Sequence, residues 1–343
     1  MNAFLKTILD AIYGLVQNYG LSIVVFTILV RLCLLPLDYK SRVGMRKMTK
    51  LAPKQQELQK KYEKDPEKLQ RKMAELYQKE KCSPMSSCWP LLVSMPILIA
   101  MFGAMRMMAN EQLAQQTFDI FLTGAPTMEP FLWIKNLWAP DSPFNFAWPS
   151  VDSLKLIESA QWLKVFNTLS AENIALLSEK VGMTLTEASF TGDALKATRE
   201  VICTQLQLLP AYVDHTAKYD FATINLLITQ LTFVKNWNGL FLLPLMSAGS
   251  QFLMTKLTAT TQPQTTDANG QQQPAGGGFM KWFFPLFSLW ICAGYSAAFA
   301  LYWVTSNLIA MVQTFLINKH LDRKEALAAA NPTNEDQAGK SVK

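Results

Sequence analysis

Arg31 is the residue with the most chemistry to offer. It stands in the run from Leu21 to Leu37, which carries no other charge and is long enough to cross a bilayer. A charge in the middle of a membrane-spanning helix costs about 2.5 to 3.5 kcal/mol on insertion scales. Two arrangements make that cost tolerable. Arg31 can face water, protein or a ligand inside the membrane. It can also snorkel, because Leu37 is only about 9 Å further along at helical rise. Residue type and position alone leave both open.

Other reactive residues are sparse and scattered. The two histidines, His215 and His320, are far apart in sequence. The five cysteines contain no Cys-x-x-Cys pair: Cys33, Cys88 and Cys292 fall in or beside apolar runs, Cys82 lies in a basic stretch, and Cys203 has no neighbour in its segment. This pattern opposes a zinc or haem site and a disulfide framework. Ser94 and Ser288 lie in apolar runs, but no His, Asp or Glu does, so neither has a base to activate it. The expectation is a protein that is not an enzyme and holds no cofactor or metal.

The elements that must position Arg31 follow from hydropathy. Half of the residues are hydrophobic and 17% are charged, a low charged share for a soluble protein. Five apolar stretches reach span length: 21–37, 88–106, 239–257, and a final stretch, 282–317, that divides into 282–295 and 297–317. Small residues near Gly294 to Ala297 mark the turn. Residues 38–87 hold fourteen Lys and Arg against seven Asp and Glu, whereas 107–237 hold eight against thirteen. Lys and Arg accumulate on the cytoplasmic side, which places 38–87 inside and the N-terminus outside. The segments 107–238, 258–281 and 318–343 then lie outside, inside and inside. Nucleic acid is a weaker explanation of the basic block than this topology.

Between the spans, four segments have a recognisable character. Residues 1–20 read as a surface amphipathic helix rather than a cleaved signal, with Phe4, Ile8, Ile12, Leu15 and Tyr19 at helical spacing. Residues 38–87 read as a helical hairpin: Met45, Met48, Leu51, Leu58 and Tyr62 form one stripe, Leu69, Met73, Leu76 and Tyr77 another, with Asp65-Pro66 starting the second helix. Such a basic hairpin suits anionic lipid, a ribosome or a client chain, or simply a solvated surface. Residues 258–281, rich in Thr, Gln, Pro, Asn and Gly, read as a flexible tether. Outside, Trp133, Trp138 and Trp148 among prolines suit an interfacial loop. From Ser153 to about Val213 the pattern of Leu156, Trp162, Leu163, Phe166, Ile174, Leu176, Leu177, Leu195, Val201, Ile202 and Leu206 is that of a small helical cap.

Several motifs in this order resemble the YidC/Oxa1/Alb3 family of membrane protein insertases. They are the run Asn18 to Leu37 with its arginine, Leu51-Ala-Pro-Lys54 in the hairpin, Cys88-Trp-Pro-Leu-Leu-Val-Ser-Met-Pro-Ile97, Phe131-Leu-Trp-Ile-Lys-Asn-Leu137 with Pro140-Asp141, and Leu301-Tyr-Trp-Val-Thr-Ser-Asn-Leu308 followed by Gln313. The resemblance covers about 1–141 and 239–320. It departs at Ser94, where the family usually has Gln, at Ser296-Ala-Ala298, usually Pro-Ala-Gly, and in the long insertion at about 142–237, on which it is silent.

The resemblance implies an all-α polytopic protein of the bacterial plasma membrane, with five transmembrane helices, N-out and C-in. It implies an insertase and chaperone that passes nascent membrane proteins through a polar intramembrane groove open to cytoplasm and lipid, without nucleotide hydrolysis. Groove residues by that match are Arg31, Thr27 one turn before it, Gln251, Trp303 and Ser306. Implied partners are nascent chains, the Sec translocon, the ribosome, and anionic lipid at the hairpin; nucleic acid is not a substrate. Two other classes compete. A secondary transporter or channel using Arg31 predicts internal repeats, and the five unequal spans show none. An intramembrane enzyme needs the missing nucleophile–base pair.

Overall fold

The computed structural model describes residues 2–63, 65–80, 89–225, 230–259, 264–266, 272–274 and 277–330. Cys82 and Cys88, the end of the expected hairpin, and most of the expected tether lie outside these residues. The described chain is mostly helical, and two of its helices are long and apolar enough to cross a membrane: α2 (Tyr19–Lys61) and the Ala297–Leu327 part of α12 (Ala297–Ala330). The other apolar runs fall in α4 (Trp89–Thr123), α10 (Leu242–Ala259) and α11 (Gly277–Gly294).

Helix lengths differ from the expected span limits in one consistent way. Three helices run on past the apolar stretch. α2 continues from its span to Lys61, α4 passes Arg106 to reach Thr123, and α12 extends into the basic tail as far as Ala330. The sequences beyond those limits in α4 and α12, such as Asn110-Glu-Gln-Leu-Ala-Gln-Gln116, contain good helix formers and neither Gly nor Pro, whereas α2 runs on through Gly44 and Pro53. A bilayer boundary changes solvent, not backbone preference. α4 stops only at Gly124, whose φ of +88° suits glycine.

The chain divides into two compact units. The first comprises Met1–Thr27, Leu98–Gly249 and Pro285–Thr305. It contains α1 (Asn2–Val16), where Phe4 and Leu15 of the expected stripe are exposed and Leu9 packs inward. Its core is aromatic. Trp162 lies 5.4 Å from Phe118 and 5.9 Å from Phe190, and Phe166 lies 5.0 Å from Phe190. Around these pack α5 (Val151–Leu154), α6 (Ser159–Phe166), α7 (Ala171–Val181), α8 (Ala194–Leu208) and α9 (Pro210–His215). α8 buries Leu195, Thr198, Ile202 and Leu206, one face at helical spacing. Ser170 caps α7 by accepting from the Asn173 amide, and Gly182 closes it at φ +76°. Leu156 and Leu176 of the expected helical pattern are exposed.

The cap is not purely helical. β1 (Lys218–Asn225) pairs antiparallel with β2 (Gln230–Val234). The alternation Tyr-Asp-Phe-Ala-Thr-Ile and Leu-Thr-Phe-Val carried that signal in β-branched and aromatic residues.

The second unit comprises Ile28–Ile97, Ser250–Phe284 and Ser306–Lys343. After α2, α3 (Pro66–Lys79) starts at Asp65, whose side chain accepts from the Lys68 amide, with Pro66 in the first turn. Lys54 of α2 and Glu80 form an ion pair at 2.6 Å. Within 258–281, β3 (Gln264–Thr266) and β4 (Gln272–Pro274) pair antiparallel. Leu29, Leu32, Leu253, Leu257, Leu308, Val312, Phe315 and Leu316 are exposed. So much outward-facing apolar surface on adjacent turns is costly in water and natural in lipid.

Candidate functional site, an arginine within an apolar helix

Arg31 in the second unit is half-buried, and its guanidinium reaches one protein oxygen. Nε and Nη2 donate to Ser306 Oγ at 2.9 and 2.6 Å. A guanidinium has five N–H donors, so one hydroxyl leaves it under-satisfied. Among the described residues Arg31 forms no salt bridge. Asp38, two turns further along α2, interacts with it electrostatically without bonding to it. Within this unit, then, the charge is held in place by a neutral partner and is not neutralised.

α12 supplies the wall beside Arg31. Gln313 Nε2 donates to the Arg31 carbonyl at 3.0 Å, and Gln313 Oε1 is buried with no partner. Asn307 Nδ2 donates to Ser250 Oγ of α10 at 3.2 Å. Further along, Arg42 donates to Thr314, and Arg46 donates to the Asn318 carbonyl at 3.0 Å. Polar contacts therefore tie α2 to α12 over about three turns, at intervals the 3.6-residue period allows. Gln251 follows Ser250 on α10 and is partly exposed.

Of the five residues expected at the site, the structure brings Arg31 and Ser306 into contact. Gln251 shares their unit. Thr27 and Trp303 belong to the first unit. Thr27 is fully buried, and its hydroxyl donates to the Ile23 carbonyl at 2.6 Å. Trp303 packs 5.7 Å from Phe299, with its indole N–H buried and without a partner. Gln313 and Asn307 of the same motif both make specific hydrogen bonds.

Sequence reasoning missed a second polar cluster, in the first unit. Asn136, Asp141 and Asn238 are fully buried. Asn238 Nδ2 donates to the carbonyls of Asn136, Ala139 and Pro140 at 2.8, 3.1 and 2.9 Å, and its Oδ1 accepts from the Asn136 amide at 2.8 Å. Asn136 and Gln116 exchange side-chain bonds. Asp141 accepts from the amides of Phe241 and Leu243 at 3.2 and 2.7 Å, capping the start of α10, and from Trp133 Nε1 at 3.2 Å. Gly239 is required here, since a Cβ would lie 2.0 Å from Asp141 Oδ1. The turn before α12 docks on the same segment: Ala297 and Ala298 amides donate to the carbonyls of Ala139 and Leu137 at 2.9 and 2.8 Å. The Ser296-Ala-Ala298 sequence thus forms a bonded turn without the family's Pro and Gly.

The family model for the 60Kd inner membrane protein matches residues 11–170 and 201–325. The chain belongs to the YidC/Oxa1 family. Its match runs into the insertion on both sides and leaves out only 171–200 between them, so the family accounts for more of the cap than the motifs did. Similar proteins include the membrane protein insertase YidC of Clostridium perfringens, 38% identical over 135 residues, 39% of this chain and 50% of that protein. The protein of that name from Wolinella succinogenes is 40% identical over 125 residues, 36% of this chain and 23% of its own. That of Chlorobaculum tepidum is 25% identical over 315 residues, 92% of this chain and 35% of its own. The chain therefore spans half or less of the length of these relatives.

Proposed function

We propose that this chain is a membrane protein insertase of the bacterial plasma membrane. Its spans would be the first part of α2, then α4, α10, α11 and the first part of α12, with the N-terminus outside and the basic hairpin inside. Arg31, with Ser306, Thr27, Gln251 and Trp303, would form a polar groove open to cytoplasm and lipid. Nascent membrane proteins are the substrates. The ribosome, the Sec translocon and anionic lipid at the hairpin are the proposed partners.

The supporting observation is the state of Arg31. A cation in an apolar helix that holds only a serine hydroxyl retains attraction for a passing carboxylate or polar segment. Such a segment would enter beside Arg31 while the client's apolar segment slides into lipid. Burial of that apolar segment, at about 25 cal/mol per Å², supplies the driving force. The groove lowers the barrier for the polar end. No bond is made or broken, so nucleotide hydrolysis has no role in this scheme.

The test is complementation of an insertase-depleted bacterium by the wild-type chain, Arg31→Lys and Arg31→Ala at equal membrane abundance. Rescue by wild type and Lys with failure of Ala is the expected result. Full rescue by Ala would remove the groove charge from the mechanism.

A further inference from the structure

α2 and α12 line an open cleft of about 460 Å³ in the second unit. It is lined from α2 by Tyr39, Val43, Arg46, Lys47 and Lys50, and from α12 by Leu321, Lys324 and Glu325. The two sets have the spacing of one face of each helix. Four cations therefore face one carboxylate across a floor of Tyr, Val, Leu and aliphatic stems.

The ion pairs do not use up this charge. Arg46 Nη1 meets Asp322 at 2.7 Å, and Lys50 meets Glu325 at 3.0 Å. Lys47 and Lys324 form no ion pair among the described residues. Arg46 is only 15% exposed, and its Nη2 is already bonded to the Asn318 carbonyl, so Lys47 and Lys324 carry the charge left over.

We propose that this cleft binds the phosphate headgroup of an anionic phospholipid from the cytoplasmic leaflet. The proposal rests on the span reading above. In that reading Tyr39 to Lys50 follow the α2 span by about 3 to 20 Å at helical rise, which is headgroup depth and just beyond. Basic pockets between helices at this level recognise lipid phosphates. The phosphate would sit between Lys47 and Lys324. Its glycerol and first methylenes would lie along Tyr39, Val43 and Leu321. A free phosphate would use the cations but leave the apolar floor bare, so a lipid fits the whole cavity.

Native mass spectrometry of the full chain in mild detergent, with phosphatidylglycerol and phosphatidylcholine of equal acyl length, tests this. Wild type is expected to retain phosphatidylglycerol preferentially. The double variant Lys47→Gln with Lys324→Gln should lose that preference by on the order of tenfold. The pair Lys180→Gln with Lys196→Gln, an equal charge change on the exposed faces of α7 and α8, should keep it. The proposal fails if wild type shows no preference, if both double variants weaken it equally, or if millimolar inorganic phosphate abolishes it. Client insertion into liposomes is measured on the same preparations. No lipid preference in wild type with intact insertion sinks the cleft site only. Intact preference with insertion unaffected by Arg31→Ala sinks the groove only.

Discussion

The two polar clusters differ in how completely they are satisfied. Around Asn136, Asp141 and Asn238, the side-chain carboxyl and amide groups meet fitted partners in a fully buried setting. Around Arg31, a permanent cation meets one serine oxygen and remains half-exposed. The first arrangement fixes a fold, because a saturated buried network has nothing left to bind and much to lose if opened. The second keeps binding capacity. Saturation, rather than polarity or burial, separates the scaffold from the proposed site.

The sharpest way to break this contrast is Asn238→Ala. It leaves three carbonyls and one amide without their side-chain partner in a dry interior. With unpaired buried groups costing about 1 to 3 kcal/mol each, and some relaxation, a loss of about 3 to 5 kcal/mol is expected. Thermal melts of the purified chain would read it as a large drop in Tm, with insertion per folded molecule unchanged. Arg31→Ala should do the opposite. Stability should hold, since one neutral partner is released at a half-exposed site, while client insertion falls by on the order of tenfold, equivalent to about 1.4 kcal/mol of barrier. Should Arg31→Ala unfold the protein while Asn238→Ala spares it, the contrast would be inverted.

Sequence reasoning singled out Arg31 but not the asparagine cluster, for a physical reason. A charge in an apolar run violates a local rule and is visible in a single window, so Arg31 stood out. Asn136 and Asn238 are ordinary polar residues in loop-like sequence, and they meet only because the fold brings positions about a hundred residues apart together. Nothing local marks them. The apolar cores of α2 and α12 were legible from hydropathy and the α3 start from Asp65-Pro66, whereas how far α4 and α12 run on was not, because helical propensity continues where apolarity stops. The β1–β2 pair was legible in its alternation and went unread beside the stronger helical pattern before it.

His215 offers a test in the cap that is smaller in size. It stacks on Trp148 with ring centres 4.2 Å apart, and its Nε2 is buried with no partner. Burial first, and the nearby Lys135 cation second, push its pKa down from 6.5 to about 4. The folded state therefore holds it neutral, while the unfolded chain takes up a proton below pH 6.5. Its contribution is complete above that value and is lost as pH falls toward 4. Melts of wild type should thus decline more steeply between neutral pH and about pH 4.5 than those of His215→Gln. Parallel curves would mean that the imidazole is already free to ionise in the fold.

Ser306→Ala is expected to have the smallest effect, and it discriminates most finely. If Arg31 acts as an unneutralised charge, Ser306 only aims it. Removing the hydroxyl frees two donors on a side chain that water already reaches, so stability should change by less than about 1 kcal/mol. Client insertion should fall by about twofold, because a wandering guanidinium spends part of its time away from the groove. An effect as large as that of Arg31→Ala would overturn this reading. The Arg31–Ser306 pair would then be a fixed link between α2 and α12, a scaffold element like the asparagine cluster, and the unsatisfied charge would have to be sought elsewhere along α2, with Arg42 and its unpartnered Nη1 the next residue to change.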